Sequence, residues 1–177
     1  ENDGSKWPKS SLAALKDGRE LSQQELERLH AVCSNSDKIL GGVSGLEVHG
    51  LSVVKYSCRS LENRVKEVPI RFGSDKPVVC WDSEEEDRRL SASVVGEFMQ
   101  GDLHSYLAKV NNGRNRLAHY RDRCEEDWTL VANMHGDLLA KVSDFACAVE
   151  DAAPSAYTFF DPSSLHVTLR TLRREKA

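Results

Sequence analysis

The chain has 177 residues, 40% of them hydrophobic and 29% charged, with a formal net charge of −4. This composition belongs to a globular domain rather than a disordered segment, and the acidic balance argues against a general nucleic-acid coat while leaving room for a local basic patch. No apolar run approaches the roughly 20 residues that cross a bilayer, and the opening "ENDGSKWPKSS" is no signal peptide, so no membrane partner is expected.

The first residue is Glu1 rather than methionine, so the chain is expected to begin inside a longer protein. Five cysteines, Cys33, Cys58, Cys80, Cys124 and Cys147, stand 22 to 44 residues apart. An odd count without close pairs fits neither a disulfide framework nor a zinc knuckle. Buried free thiols and an intracellular, reducing location are expected instead. Metal-ligand spacings such as H-E-x-x-H are absent, and "GGVSG" at 41–45 matches no phosphate loop and reads as a turn. The motifs therefore call for no metal and no cofactor.

In chain order, "LSQQELERLHAVC" opens with Ser22 and Glu25 in a capping-box pattern, and Leu26, Leu29 and Cys33 come after them at helical spacing. "LEVHGLSVVKYSC" at 46–58 and "VPIRFGSDKPVVCW" at 68–81 are rich in β-branched residues and read as strands. Cys58 beside Arg59 reads as structural, and Trp81 and Trp128 as core residues of strand-like runs. "DSEEEDRR" at 82–89 is a solvated charge run, and the apolar spacing from Leu90 to Val110 is helical, weakened at Gly101. After the turn "NNG" at 111–113 and a strand near 128–134, "DLLAKVSDFACAVEDAAP" places Leu138, Val142, Phe145 and Val149 on one helical stripe over 137–151. That stripe is expected to pack on a sheet containing the last strand, 164–171.

The last strand, "LHVTLRTL", alternates apolar Leu165, Val167 and Leu169 with His166, Thr168 and Arg170. Strand side chains alternate between faces, so the second set is expected together on the face away from the core. His166 and Thr168 would then stand roughly 7 Å apart at the backbone, close enough to serve one phosphate. The hydroxyl can bond a phosphoryl oxygen, and the imidazole can move a proton at neutral pH.

The order strand, amphipathic helix, Pro-containing loop and "DPSSLHVTL" resembles the opening of the 2H phosphoesterase superfamily, which includes LigT-like RNA 2',3'-cyclic phosphodiesterases. The resemblance covers about the last 50 residues of the chain. It implies a bilobal α+β fold with two H-x-[ST] motifs on opposed strands. One histidine would act as general base, the other as general acid, with the hydroxyls holding the phosphate and no metal required. Carried over, His166 is the first acid/base and Thr168 the first phosphate ligand. Arg170, Arg114 and Arg116 are candidate contacts to an RNA or nucleotide phosphate. His30, His49, His104, His119 and His135 all lack Ser or Thr two residues on. The second motif is therefore expected beyond residue 177, and this chain alone is expected to be silent, with His166 on an exposed or half-open face. Only a tertiary approach by His119 or His135 would change that.

A second pattern competes. "GRNRLAHYRDR" contains Arg114, Asn115 and His119 as R-N-x-x-x-H, which resembles the signature of HEPN-domain proteins, all-α modules that include RNA-cleaving enzymes. The plainer alternative is a basic surface segment whose Arg114, Arg116, Arg121 and Arg123 face water or pair with the acids at 125–127. The chain as a whole is expected to be α+β. A mixed N-terminal region spans 1–125, and the first strand-helix-strand part of a 2H-type bilobal domain, apparently truncated, spans 126–177. A nucleic-acid-binding or protein-interaction module without catalysis is the alternative from a different class.

Overall fold

The computed structural model describes residues 9–40, 48, 50–72, 89, 92–93, 95–96 and 98–172. The "GGVSG" turn, Cys80, Trp81 and the acidic run at 82–88 lie outside the described residues. Strand β1 (Ala13–Leu15) leads into helices α1 (Gln23–Ser34) and α2 (Ser36–Ile39), then strands β2 (Gly50–Tyr56) and β3 (Arg64–Arg71). Helices α3 (Leu103–Asn111) and α4 (Leu117–Arg121) precede β4 (Asp127–Asn133), α5 (Asp137–Ala152), β5 (Tyr157–Phe159) and β6 (His166–Leu172). The fold is α+β. One antiparallel sheet has the order β3-β2-β4-β6, and β1 pairs with β5 in a small second one. The larger sheet takes two strands from each side of residue 125, so the two expected regions share one sheet.

Helix α1 starts where the sequence places it. Ser22 Oγ accepts from the Glu25 amide at 3.2 Å, and Glu25 Oε2 accepts from the Ser22 amide at 2.8 Å. The box satisfies two amides that the first turn leaves without helical partners. Ser22→Ala should accordingly cost about 1 kcal/mol, read as a lower midpoint in thermal denaturation. An unchanged midpoint would mean that α1 is held by packing alone.

The helix expected from Leu90 onward does not run unbroken to Val110. A fresh N-terminus forms at Asp102, whose carboxylate accepts from the amides of His104 at 3.1 Å and Ser105 at 3.2 Å. Gly101 interrupts the periodicity, and Asp102 caps α3. Strand β3 begins four residues earlier than expected. As an edge strand it accommodates Pro69, which has no amide to donate to a ladder.

Helix α5 keeps its expected span and serves two cores. Val149 and Ala152 pack with Leu15, Leu26 and Leu29, which includes the apolar side of α1. Val142 packs with Ala14, Met134, Phe160 and Leu165, where Leu138 and Val167 join. The expected contact with the last strand thus holds for the N-terminal half of the stripe, while Phe145 and Val149 turn toward α1. Entry into α5 passes through Gly136 at φ 61° and ψ −139°, a conformation that side chains with a Cβ avoid.

Candidate functional site

β6 emerges from a one-turn 3₁₀ helix, Pro162–Ser164, whose start Asp161 holds by accepting from the Ser163 amide at 2.8 Å. The chain then alternates. Leu165 enters the core beside α5, and His166 turns to the opposite face. On that face His166 stands across from Asn133 and Thr168 across from Val131, which in turn stands across from Ser52. His166 and Thr168 therefore share a face, as the pattern requires.

Arg170 does not join them. A bulge between Leu130 and Val131 sets Arg170 opposite Leu130, in the row of Ala132 and Val167. Two residues of β6 there oppose one of β4, which shifts the alternation by one.

The expected open face is closed at His166, which is only 7% exposed, and half-buried at Thr168. The turn at 57–63 roofs part of it. Leu61 packs on Val54 and Val131, and it does so at φ 58°, a left-handed conformation costly for a branched side chain. From the start of β3, Arg64 reaches across toward β6. Its Nη2 lies 3.4 Å from both the Ser163 and Ser164 carbonyls, and its Nη1 donates to Glu67 Oε2 at 2.9 Å. Glu67 Oε1 accepts from Asn133 Nδ2 at 3.0 Å. The Asn133 amide is thereby fixed, and its buried Oδ1 accepts nothing within the described residues.

His166 Nδ1 lies 2.7 Å from the Ser164 carbonyl. A carbonyl only accepts, so the proton sits on Nδ1 and Nε2 carries the lone pair of the neutral ring. Burial holds the ring below the ordinary histidine pKa. The Ser164 bond opposes that shift and the Arg64 charge adds to it. Burial alone would raise Glu67, but hydrogen bonds from Ser52, Arg64 and Asn133 outweigh it and hold the carboxyl low.

The basic cluster at 113–123 serves other purposes. Asn115 precedes α4, and Arg116 is its extended N-cap, so Asn115 and His119 do not share one helical face. The all-α fold implied by R-N-x-x-x-H is also not the fold of the described residues. Arg116 is half-buried and donates to the Arg19 and Asn111 carbonyls, a structural role that takes it away from a phosphate. Arg114 is exposed in the turn before α4. Arg121 pairs with Glu62 rather than with the acids at 125–127, through Nε and Nη2 at 2.7 Å each. His119 packs edge-on to Tyr120, and burial, aided by Arg59, lowers its pKa. His135 is exposed just past β4, and the ring contact and hydrogen bond of His30 are to Phe98 and the Met99 carbonyl. None of these contacts brings a second imidazole to His166.

Glu62 also accepts from the Asp161 amide at 3.0 Å and from Ser60 Oγ at 2.9 Å, so its carboxylate ties the roofing turn to α4 and to the approach of β6. The Arg121 bond, with help from the other donors, holds its pKa low against burial. A carboxylate lowered in the folded state stabilises above its unfolded pKa and loses that contribution as pH falls through the folded value. Glu62→Gln should therefore destabilise most at neutral pH, and the gap between the two urea midpoints should close on acidification. A gap that stays constant with pH would assign the effect to packing.

A cleft of about 390 Å³ lies beside Leu165, walled by α5 and Phe160 with Glu62 and Arg121 at its rim. His166 does not line it. Among the described residues no group of three or more His, Cys, Asp or Glu is placed to hold a metal ion, and no helix is long and apolar enough to cross a membrane. Cys33, Cys58, Cys124 and Cys147 are free thiols, and buried Cys58 accepts from the Asn63 amide at 3.2 Å. No family model, curated protein or solved structure matches the chain.

Sequence reasoning missed Arg64, Glu67 and Asn133. They come from two strands some 60 residues apart, and no local pattern links them to His166. The alternation of β2 is the one available signal, since it puts Ser52 and Val54 on the same face.

Proposed function

We propose that this chain carries one half of a two-histidine phosphoesterase site acting on a cyclic phosphate or an RNA-end phosphodiester. His166 is the acid/base and Thr168 the phosphate ligand. The observation that carries this reading is the bond from His166 Nδ1 to the Ser164 carbonyl, which fixes the tautomer and leaves Nε2 for proton transfer. The lowered pKa makes the resting ring neutral, so His166 begins as base.

In that role Nε2 takes a proton from water as its oxygen attacks phosphorus. The P–O bond of the cyclic ester breaks on the opposite side, and the departing ribose oxygen takes a proton from the second histidine. That partner belongs to the second H-x-[ST] motif, which is not within residues 1–177. One imidazole cannot stand on both sides of an in-line displacement, so the present chain should bind the ester without opening it. The resemblance further implies turnover that survives EDTA. The test is ring opening of a 2',3'-cyclic nucleotide by a protein carrying both motifs, with and without His166. Equal rates, or none from either, would remove the reading.

A non-catalytic interaction module is the second reading. It is favoured by the exposed apolar row Val68 and Ile70 along edge strand β3, on the sheet face opposite His166, where Val68 is 42% and Ile70 43% exposed. A chain that neither binds nor opens cyclic phosphates would leave this row as the functional surface.

A further inference from the structure

We propose that Arg64 supplies the cationic phosphate contact of the His166 site, so that β3, from the part of the chain before residue 125, belongs to the substrate-binding surface. The proposal rests on the phosphoesterase reading above and extends it to a residue outside the H-x-T strand.

Geometry carries it. Arg64 starts one edge strand of the sheet, yet its guanidinium reaches the backbone entering the other edge strand. There it shares one acceptor with the imidazole, since the Ser164 carbonyl takes both His166 Nδ1 and Arg64 Nη2. Arg121, the other arginine near this approach, is held by Glu62 and reaches only the Phe159 carbonyl, at 3.5 Å.

The two ends of the fork are held differently. Nη1 makes a well-formed bond to Glu67 at 2.9 Å, whereas the Nη2 contacts, both at 3.4 Å, are at the weak limit. Glu67 thus anchors the guanidinium while Nη2 can turn to a better acceptor. A phosphoryl oxygen is such an acceptor, and its bond to a guanidinium is charge-assisted. Only 17% of the Arg64 side chain is exposed, so a bound phosphate would meet a partly desolvated cation, where attraction is less screened than at the surface. Chemistry asks for this group as well. In phosphoryl transfer the developing charge spreads over the equatorial oxygens, and hydroxyls alone neutralise none of it.

The charge that bears on the ring is Arg64 of β3, paired with Glu67 of the same strand, while Glu62 of the turn at 57–63 is paired with Arg121. Ser52 of β2, Asn133 of β4 and Thr168 of β6 are neutral, Arg170 stands in the opposite row, and Asp161 is turned to Ser163.

The test uses the 177-residue chain and a 2',3'-cyclic nucleotide, with binding read by calorimetry and the His166 ring read by NMR. Arg64→Gln should weaken binding about 10- to 100-fold, the range of a charge-assisted hydrogen bond. It should also flatten the salt dependence of binding and raise the His166 pKa in the free chain. Arg64→Lys should keep the salt dependence and the low ring pKa while recovering part of the affinity, which a merely structural role would not produce. If the nucleotide shifts the His166 signals of the unaltered chain and Arg64→Gln does not weaken binding, Arg64 is no phosphate ligand and the phosphoesterase reading stands. If the nucleotide leaves the His166 signals of the unaltered chain unmoved, that reading fails and takes this inference with it.

Discussion

Replacing His166 with alanine, in a protein that carries both histidine motifs, should lower turnover of a 2',3'-cyclic phosphate by at least ~10²-fold, the low end of what a positioned acid or base contributes. The loss should fall on kcat more than on KM, because Thr168 and Arg64 still hold the ester while the proton transfer is gone. The ring's environment sets the direction of the pH profile. A base works deprotonated, so kcat/KM should fall as pH drops through the His166 pKa, and burial together with Arg64 shifts that limb below the ordinary histidine value. Arg64→Gln should move the limb upward. An alanine variant with undiminished turnover would leave His166 a buried structural histidine, satisfied by the Ser164 carbonyl and nothing more.

That bland role has real weight, since a ring 7% exposed and bonded to its own approach loop is already content in the fold. The difference lies in its neighbours. A structural histidine gains nothing from a guanidinium that opposes its protonation, or from an adjacent amide oxygen, Asn133 Oδ1, buried without a donor among the described residues. Such costs gather at sites that do something besides fold.

Legibility in the sequence depends on the range of each signal. The box at Ser22 and Glu25, the stripe of α5 and the alternation from Leu165 to Thr168 are each set within a few residues, and each has its expected local form. Arg170 departs from its expected face because a bulge depends on what β4 does opposite, not on the strand's own pattern. The turn that roofs part of this face has no sequence signal, since it needs Leu61 in a left-handed conformation that its neighbours in the chain do not announce. Arg121 passes over the nearby acids for Glu62, 59 positions away. Long-range polar pairing leaves no periodic trace, and the candidate site is built largely of it.

The same alternation makes a second large effect testable in the chain as it stands. Leu165→Ala should destabilise the fold by about 2–5 kcal/mol, whereas Val68→Ala should stay within about 0.5 kcal/mol. Leu165 is 4% exposed and packs among Ala14, Met134, Val142 and Phe160, which arrive from β1, the end of β4, α5 and the approach to β6. Neighbours from four separate segments cannot all close on the space a lost isobutyl group leaves, so a cavity cost adds to the lost burial. Val68, at 42% exposed on the edge strand, leaves no such space. Urea midpoints should therefore separate widely with similar slopes, and a domain of ordinary stability would lose a large part of its total at Leu165. The consequence reaches the site, because Leu165 seats the backbone from which His166 projects and its carbonyl accepts from the Met134 amide at 3.0 Å. A Leu165→Ala chain as stable as the Val68 variant would mean that β6 is not anchored on its α5 side. His166 would then have no fixed face to stand on.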